Sequence, residues 1–103
     1  MPAAQPDAPV CVILLDYVVP LEEVDRHMKP HVAWLEQGYA EGLFLVSGRR
    51  NPRTGGVIVS RGRKAEVEAL IASDPFVSSG CATAEVIEFG ASMSAEQVAA
   101  LLA

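Results

Sequence analysis

The sequence predicts an α+β fold: a ferredoxin-like βαββαβ core with a C-terminal helix, its four strands forming one antiparallel sheet. Three observations lead there. Four strand-sized runs rich in valine, leucine and isoleucine occupy residues 10–19, 43–48, 57–60 and 83–89. Amphipathic helical patterns separate the first run from the second and the third from the fourth. The second and third runs are joined only by a turn-rich loop, which makes them a hairpin. Two right-handed crossovers then put both helices on the same face of the sheet.

Each element has a local reason. Residues 10–19 alternate Cys11, Ile13, Leu15, Tyr17 and Val19 against Val10, Val12, Leu14, Asp16 and Val18, and Pro20 stops the strand. Residues 21–40 repeat apolar side chains at Leu21, Val24, Met28 and Leu35, with Glu22 and Glu23 in the first turn where acids suit the helix dipole. Pro30 falls inside this stretch and predicts a kink or restart near Lys29. Gly38 and Gly42 are expected to weaken and end the helix. In the second strand Leu43, Leu45 and Ser47 should oppose Phe44 and Val46. Residues 49–56, with Asn51-Pro52 and Gly55-Gly56, read as the hairpin tip. Residues 63–73 form the next helix, Val67, Leu70 and Ile71 inward and Glu66 and Glu68 outward. Asp74-Pro75 is a good N-cap and N1 pair for a short helical turn over residues 76–79. Ser94-Ala95-Glu96-Gln97 reads as a capping box opening the last helix, whose Val98, Leu101 and Leu102 are free to dock on the body or on a partner.

At 103 residues the chain is one domain, placed at residues 10–103 after an N-terminal arm over residues 1–9 that carries three prolines. A net charge of −5 argues against a nucleic-acid partner. No apolar run approaches the ~18 residues of a membrane span. The arm lacks the basic and apolar segments of a secretory signal, so the expected compartment is the cytoplasm and Cys11 and Cys81 are expected to be free thiols. Both faces of the first two strands are apolar, although the helices cover only one face. A bare apolar sheet is a liability on a soluble monomer. With half of its residues hydrophobic and a mean hydropathy of +0.27, the chain is expected to form a homodimer through the open sheet face.

The candidate chemistry centres on His31, which takes the place of a hydrophobe on the inward stripe between Met28 and Leu35. Two roles fit it: a buried structural histidine, or an acid/base group at a helix kink. His27 and His31 have the i, i+4 spacing of a zinc pair. Pro30 distorts that spacing, Lys29 would repel a cation and no third ligand clusters with them, so no metal is expected. Asp74 is both a helix N-cap and a candidate partner for His31. Asp16 has three readings: an arginine partner, a strand-end cap, or a wall of the same pocket. Arg49 and Arg50 follow Ser47-Gly48 and offer a fork for a carboxylate, against the simpler reading of solvated loop charges. Tyr17, Trp34 and Phe76 are candidates for lining a pocket or for plain core. The spacing of a phosphate loop, a Gly-x-Ser-x-Gly elbow, a CxxC pair and paired catalytic carboxylates are all missing, and no cofactor is expected.

Pro30-His31-Val32-Ala33-Trp34-Leu35, Leu45-Val46-Ser47-Gly48 and Ser73-Asp74-Pro75-Phe76-Val77, in this order and spacing, resemble the YCII-related family over about residues 10–90. That resemblance implies a dimeric α+β barrel of ferredoxin-like halves and a His–Asp dyad on His31 and Asp74. Relatives include a lactone-processing dehalogenase, and muconolactone isomerases share the architecture. Arg49-Arg50 departs from the less charged loop of many relatives. The expected function is cofactor-free acid/base chemistry on a small organic acid or lactone, of an isomerase, lyase or dehalogenase type, with Ser47, Arg49, Tyr17, Trp34 and Phe76 around the ligand. The alternative is a non-catalytic ligand-binding or structural dimer in which the dyad is only a structural hydrogen bond.

Overall fold

The structure is a computed structural model that describes residues 7–103. Its elements in chain order are β1 (Ala8–Tyr17), α1 (Leu21–Arg26), α2 (Met28–Ala40), β2 (Phe44–Arg49), β3 (Gly55–Arg61), α3 (Lys64–Ile71), α4 (Pro75–Ser78), β4 (Ala82–Ala91) and α5 (Glu96–Leu102). The strands form one antiparallel sheet in the order β2-β3-β1-β4, as expected for the βαββαβ pattern. Strand β1 begins two residues before the expected start, and Pro9 pairs with Gly90. Ala8 and Pro9 therefore belong to the sheet rather than to an arm; residues 1–6 lie outside the described residues.

Cross-strand register sorts the side chains by face, because directly paired residues point the same way. Cys11, Ile13 and Leu15 face the helices and join Phe44, Ile58, Val67, Ile71 and Val86 in the main core. Val10, Val12 and Leu14 point to the other face, in register with Arg61, Val59 and Val57 on β3. Helix α5 covers one end of that open face, with Leu102 packed beside Val10 and Ala91. The remainder carries exposed apolar side chains, Val46 at 58%, Phe89 at 47% and Ile87 at 46%.

Of five local expectations, one holds and four are corrected. The helix restarts near Lys29 as expected: α1 ends at Arg26, His27 is the break, and α2 begins at Met28. The ring of a proline clashes with the carbonyl four residues back, here Arg26, and its missing N–H costs nothing in a first helical turn. Pro30 accordingly sits in the first turn of α2, and His31 N donates to His27 O at 3.1 Å. Gly38 does not end α2; it lies inside the helix, against the Phe44 ring, where a Cβ would come within 2.1 Å of a ring carbon. The stop is made by Gly42 at φ 73°, with Gly42 N bonded to Tyr39 O and Leu43 N to Gly38 O. Strand β2 does not alternate simply. The register shifts between Phe44 and Val46, so this bulge puts Phe44 and Ser47 on the helix face and turns Leu45 toward the cluster at the open-face end. Gly55-Gly56 is not the hairpin tip, because both residues open β3 and pair with Asp16 and Leu15. At the C-terminus the N-cap of α5 is Ala95, with no side-chain cap bond, in place of the expected Ser94 box.

Cys11 and Cys81 are free, buried and at opposite ends of the sheet. Burial, helped by Glu88 and Glu68, pushes the Cys11 thiol above its ordinary range.

Gly38→Ala should destabilise the fold by about 1–3 kcal/mol, because overpacking against Phe44 outweighs the gain in helix propensity. Urea denaturation followed by circular dichroism checks this, with Gly48→Ala, where a Cβ meets nothing within 4 Å, as the reference substitution.

Candidate active site

Helix α2 brings His31 to the sheet-facing side, and the α3–α4 connection brings Asp74 to meet it. His31 Nδ1 lies 2.6 Å from Asp74 Oδ1, across 43 residues of sequence. Both are buried: Asp74 is fully inaccessible and His31 is 7% exposed. The same Oδ1 accepts from Phe76 N at 3.1 Å, so Asp74 caps α4 and holds the histidine at once. Its Oδ2 is buried without a hydrogen-bond partner among the described residues. With an ionised Asp74, Nδ1 of a neutral His31 carries the proton and donates. Nε2 is then the nitrogen with a free lone pair, and no hydrogen bond among the described residues occupies it.

Aromatic rings fix the imidazole. Phe76 stacks on it with centroids 3.8 Å apart and planes 12° apart, and Tyr17 meets Phe76 edge-on at 5.8 Å. Trp34 lies parallel to His31 at 6.2 Å, but its Nε1 donates to Ser73 Oγ at 3.0 Å and its ring packs against Phe44. Trp34 thus ties α2 to the end of α3 and to the sheet.

Beside His31 opens a cavity of about 180 Å³, between α2 and the end of the sheet where β1 and β2 finish and β3 begins. His31, Ser47, Arg49, Tyr17 and Phe76 line it, together with Leu15, Met28, Leu35 and Gly56. Of the residues expected around a ligand, Trp34 does not reach the cavity. Asp16 is not in its wall either; it pairs with Arg50, the first of its three readings. Ser47 Oγ is 2.6 Å from Tyr39 Oη, which fixes the hydroxyl at the cavity wall. Arg49 makes no salt bridge among the described residues, although its charge is felt by Asp25. Met28 and Leu35 were legible as an inward stripe. Gly56 was not, because a glycine pair between two strands reads as a turn.

The hairpin tip is strapped down next to the cavity. Arg53 Nη2 donates to Asp25 Oδ1 of α1 at 2.6 Å, and the guanidinium lies 5.9 Å from the Tyr17 ring centre. This hydrogen bond holds the Asp25 carboxyl below its ordinary value and raises Arg53 further.

The fold and site together are those of a small α+β protein with a buried His–Asp pair beside an apolar cavity, whose wall carries Arg49, a cation without a salt bridge among the described residues. A family model for the YCII-related domain matches residues 9–90, and the chain belongs to that family. No functionally curated protein matches it. Among solved structures it is similar to 5-chloro-2-hydroxyhydroquinone dehydrochlorinase (TftG) from Burkholderia phenoliruptrix AC1100, in complex with 2,5-dihydroxybenzoquinone. The TM-score is 0.64 at 20% identity, covering 77% of this chain and 90% of that one. At that identity the likeness is one of fold. No helix among the described residues is long and apolar enough to cross a membrane.

The Asp25–Arg53 strap has a testable pH signature. A carboxylate whose folded pKa is depressed contributes stability that is present above its unfolded value of 3.8 and lost as pH falls through the folded value. The stability difference between wild type and Arg53→Met should therefore be constant near neutrality and shrink on acidification below about pH 4. Urea midpoints measured across that range check it.

Proposed function

We propose that this protein acts without a cofactor on a small organic anion bound in the cavity, with His31 as general acid/base and Asp74 as its orienting partner. The observation that carries this reading is the 2.6 Å Nδ1–Oδ1 bond, which leaves His31, a cavity-lining residue, with Nε2 as its free ring nitrogen. Arg49 offers a cation for a carboxylate or an enolate oxygen, and the Ser47 hydroxyl offers a neutral hydrogen bond. The apolar lining lowers the local dielectric, so these polar contacts are stronger there than in water.

The chemistry follows from the groups. Nε2 takes a proton from a carbon next to a carbonyl or hydroxyquinone oxygen. The electron pair of the broken C–H bond moves toward that oxygen, which faces Arg49. Return of the proton to another carbon completes an isomerisation; departure of a leaving group such as chloride from the neighbouring carbon completes an elimination. The structural neighbour named above as a dehydrochlorinase supports the second class.

A second reading has its own observation. Asp74 Oδ1 also caps α4, so the pair could serve only to weld α2 to that turn in a ligand-binding or structural protein. A panel of chlorinated hydroxyquinones, small lactones and aromatic acids separates the readings. Catalysis predicts that His31→Asn lowers kcat about 10²–10⁴-fold and removes the histidine limb of the pH–rate profile. If turnover and its profile survive His31→Asn, the catalytic reading is lost. The structural reading predicts that His31→Asn and Asp74→Asn lower the melting temperature and leave ligand affinity alone.

We also propose that two chains associate through the open sheet face, burying Val46, Ile87 and Phe89, and act as a soluble dimer in the cytoplasm. Exposed apolar side chains clustered on one sheet support it. Sedimentation velocity should give a dimer for wild type and a monomer for Ile87→Lys. A wild type that sediments as a single chain at micromolar concentration would discard the dimer.

A further inference from the structure

The start of β3 holds two buried glycines with different reasons to be glycine. At Gly55 a Cβ would lie 1.7 Å from Leu15 O and 2.8 Å from Leu15 C, so the approach of β1 forbids any side chain there. At Gly56 no such ban exists. Its φ lies outside the left-handed region, since the positive-φ glycines are Gly42, Gly62 and Gly80. A Cβ on Gly56 would meet Gly48 O at 3.2 Å and then nothing nearer than Leu15 Cδ1 at 3.9 Å. Gly48 lies in the edge strand β2, which can yield the few tenths of an ångström that an alanine needs.

Glycine inside a strand costs stability through lost backbone entropy and missing packing. Nothing in the backbone repays that cost at Gly56. What the missing side chain does leave is space, and that space belongs to the cavity. Gly56 pairs with Leu15 on one side and Arg49 on the other, so all three face the helices. It is the gap in the sheet between the apolar wall and Arg49, under helix α2 with His31.

We infer that Gly56 determines ligand size: a ring substituent of the bound molecule projects into the volume where a side chain would stand, next to the group that Arg49 holds. The ligand class is a compact hydroxylated or carboxylated ring anion. This inference rests on the reading of the cavity as a ligand site. An alanine at this position trims the cavity, and a valine fills it.

The test has two arms on the full-length chain. The first needs no ligand. Gly56→Ala should melt within about 2 °C of wild type, whereas Gly55→Ala should melt far lower or fail to fold. If Gly56→Ala is as damaging as Gly55→Ala, the glycine serves the backbone and the inference falls. The second arm uses 2,5-dihydroxybenzoquinone and its 3,6-dichloro derivative as probes, with affinity measured by calorimetry. Gly56→Ala should lose at least ten times more affinity for the dichloro probe than for the unsubstituted one, and Gly56→Val should lose both. Equal losses for the two probes, or none, overturn the role of Gly56 alone. Failure of wild type to bind either probe overturns the reading of the cavity, and this inference with it.

Discussion

The hydrogen bond between His31 Nδ1 and Asp74 Oδ1 joins two pieces of chain that the sheet does not bring together, the start of α2 and the loop leading into α4. Neither partner can leave cheaply: a buried donor or acceptor left unpaired costs about 1–3 kcal/mol. The bond is reinforced on both sides. Phe76, two residues after Asp74, lays its ring on the imidazole, and Trp34, three residues after His31, reaches Ser73. The ring is therefore fixed in place and in tautomer by the same contacts that dock α4. Under the proposed function, a structural and a chemical role converge on one aspartate.

The cavity beside that ring is a product of local irregularities, each with a plain cause. Pro30 cannot continue a helix from upstream, so the helix breaks at His27 and α2 starts afresh with His31 in its first two turns. The bulge at Leu45 restores Ser47 to the helix face after Phe44 has been buried there. Gly56 leaves a side chain out of the adjoining strand on the face of the cavity. A regular sheet under an unbroken helix would pack shut, since protein interiors close to the density of organic crystals.

The two faces of the sheet have different fates. The helix face is sealed by α2, α3 and α4. The other is covered by α5 at one end only, where Leu102 meets Val10 and Ala91. Charges gather instead at the hairpin, where Arg50 pairs with Asp16 and Arg53 with Asp25. These exposed pairs contribute little to stability individually. Their effect is positional, because they leave Arg49 as the cation of that loop without a carboxylate in salt-bridge reach among the described residues.

Strand and helix order, the alternation that puts Cys11, Ile13 and Leu15 on one face, the Asp74–Pro75 cap and the anomaly of a histidine on an apolar stripe were all legible in the sequence. Each depends on chemistry within one or two turns or on a period of two or near four residues. The sequence also carried family-specific motifs that pointed to His31 and Asp74 as a pair. Tertiary structure alone decided the rest. Whether Asp16 meets an arginine or a pocket depends on strand register, which places it opposite Gly55. Whether Trp34 lines a cavity depends on where its indole N–H finds a partner, and Ser73 lies 39 residues away. Gly38 and Gly56 look like breakers in one dimension, because a glycine announces only that a side chain is missing. What fills or avoids the vacated space, Phe44 in one case and a cavity in the other, is settled by residues from other strands.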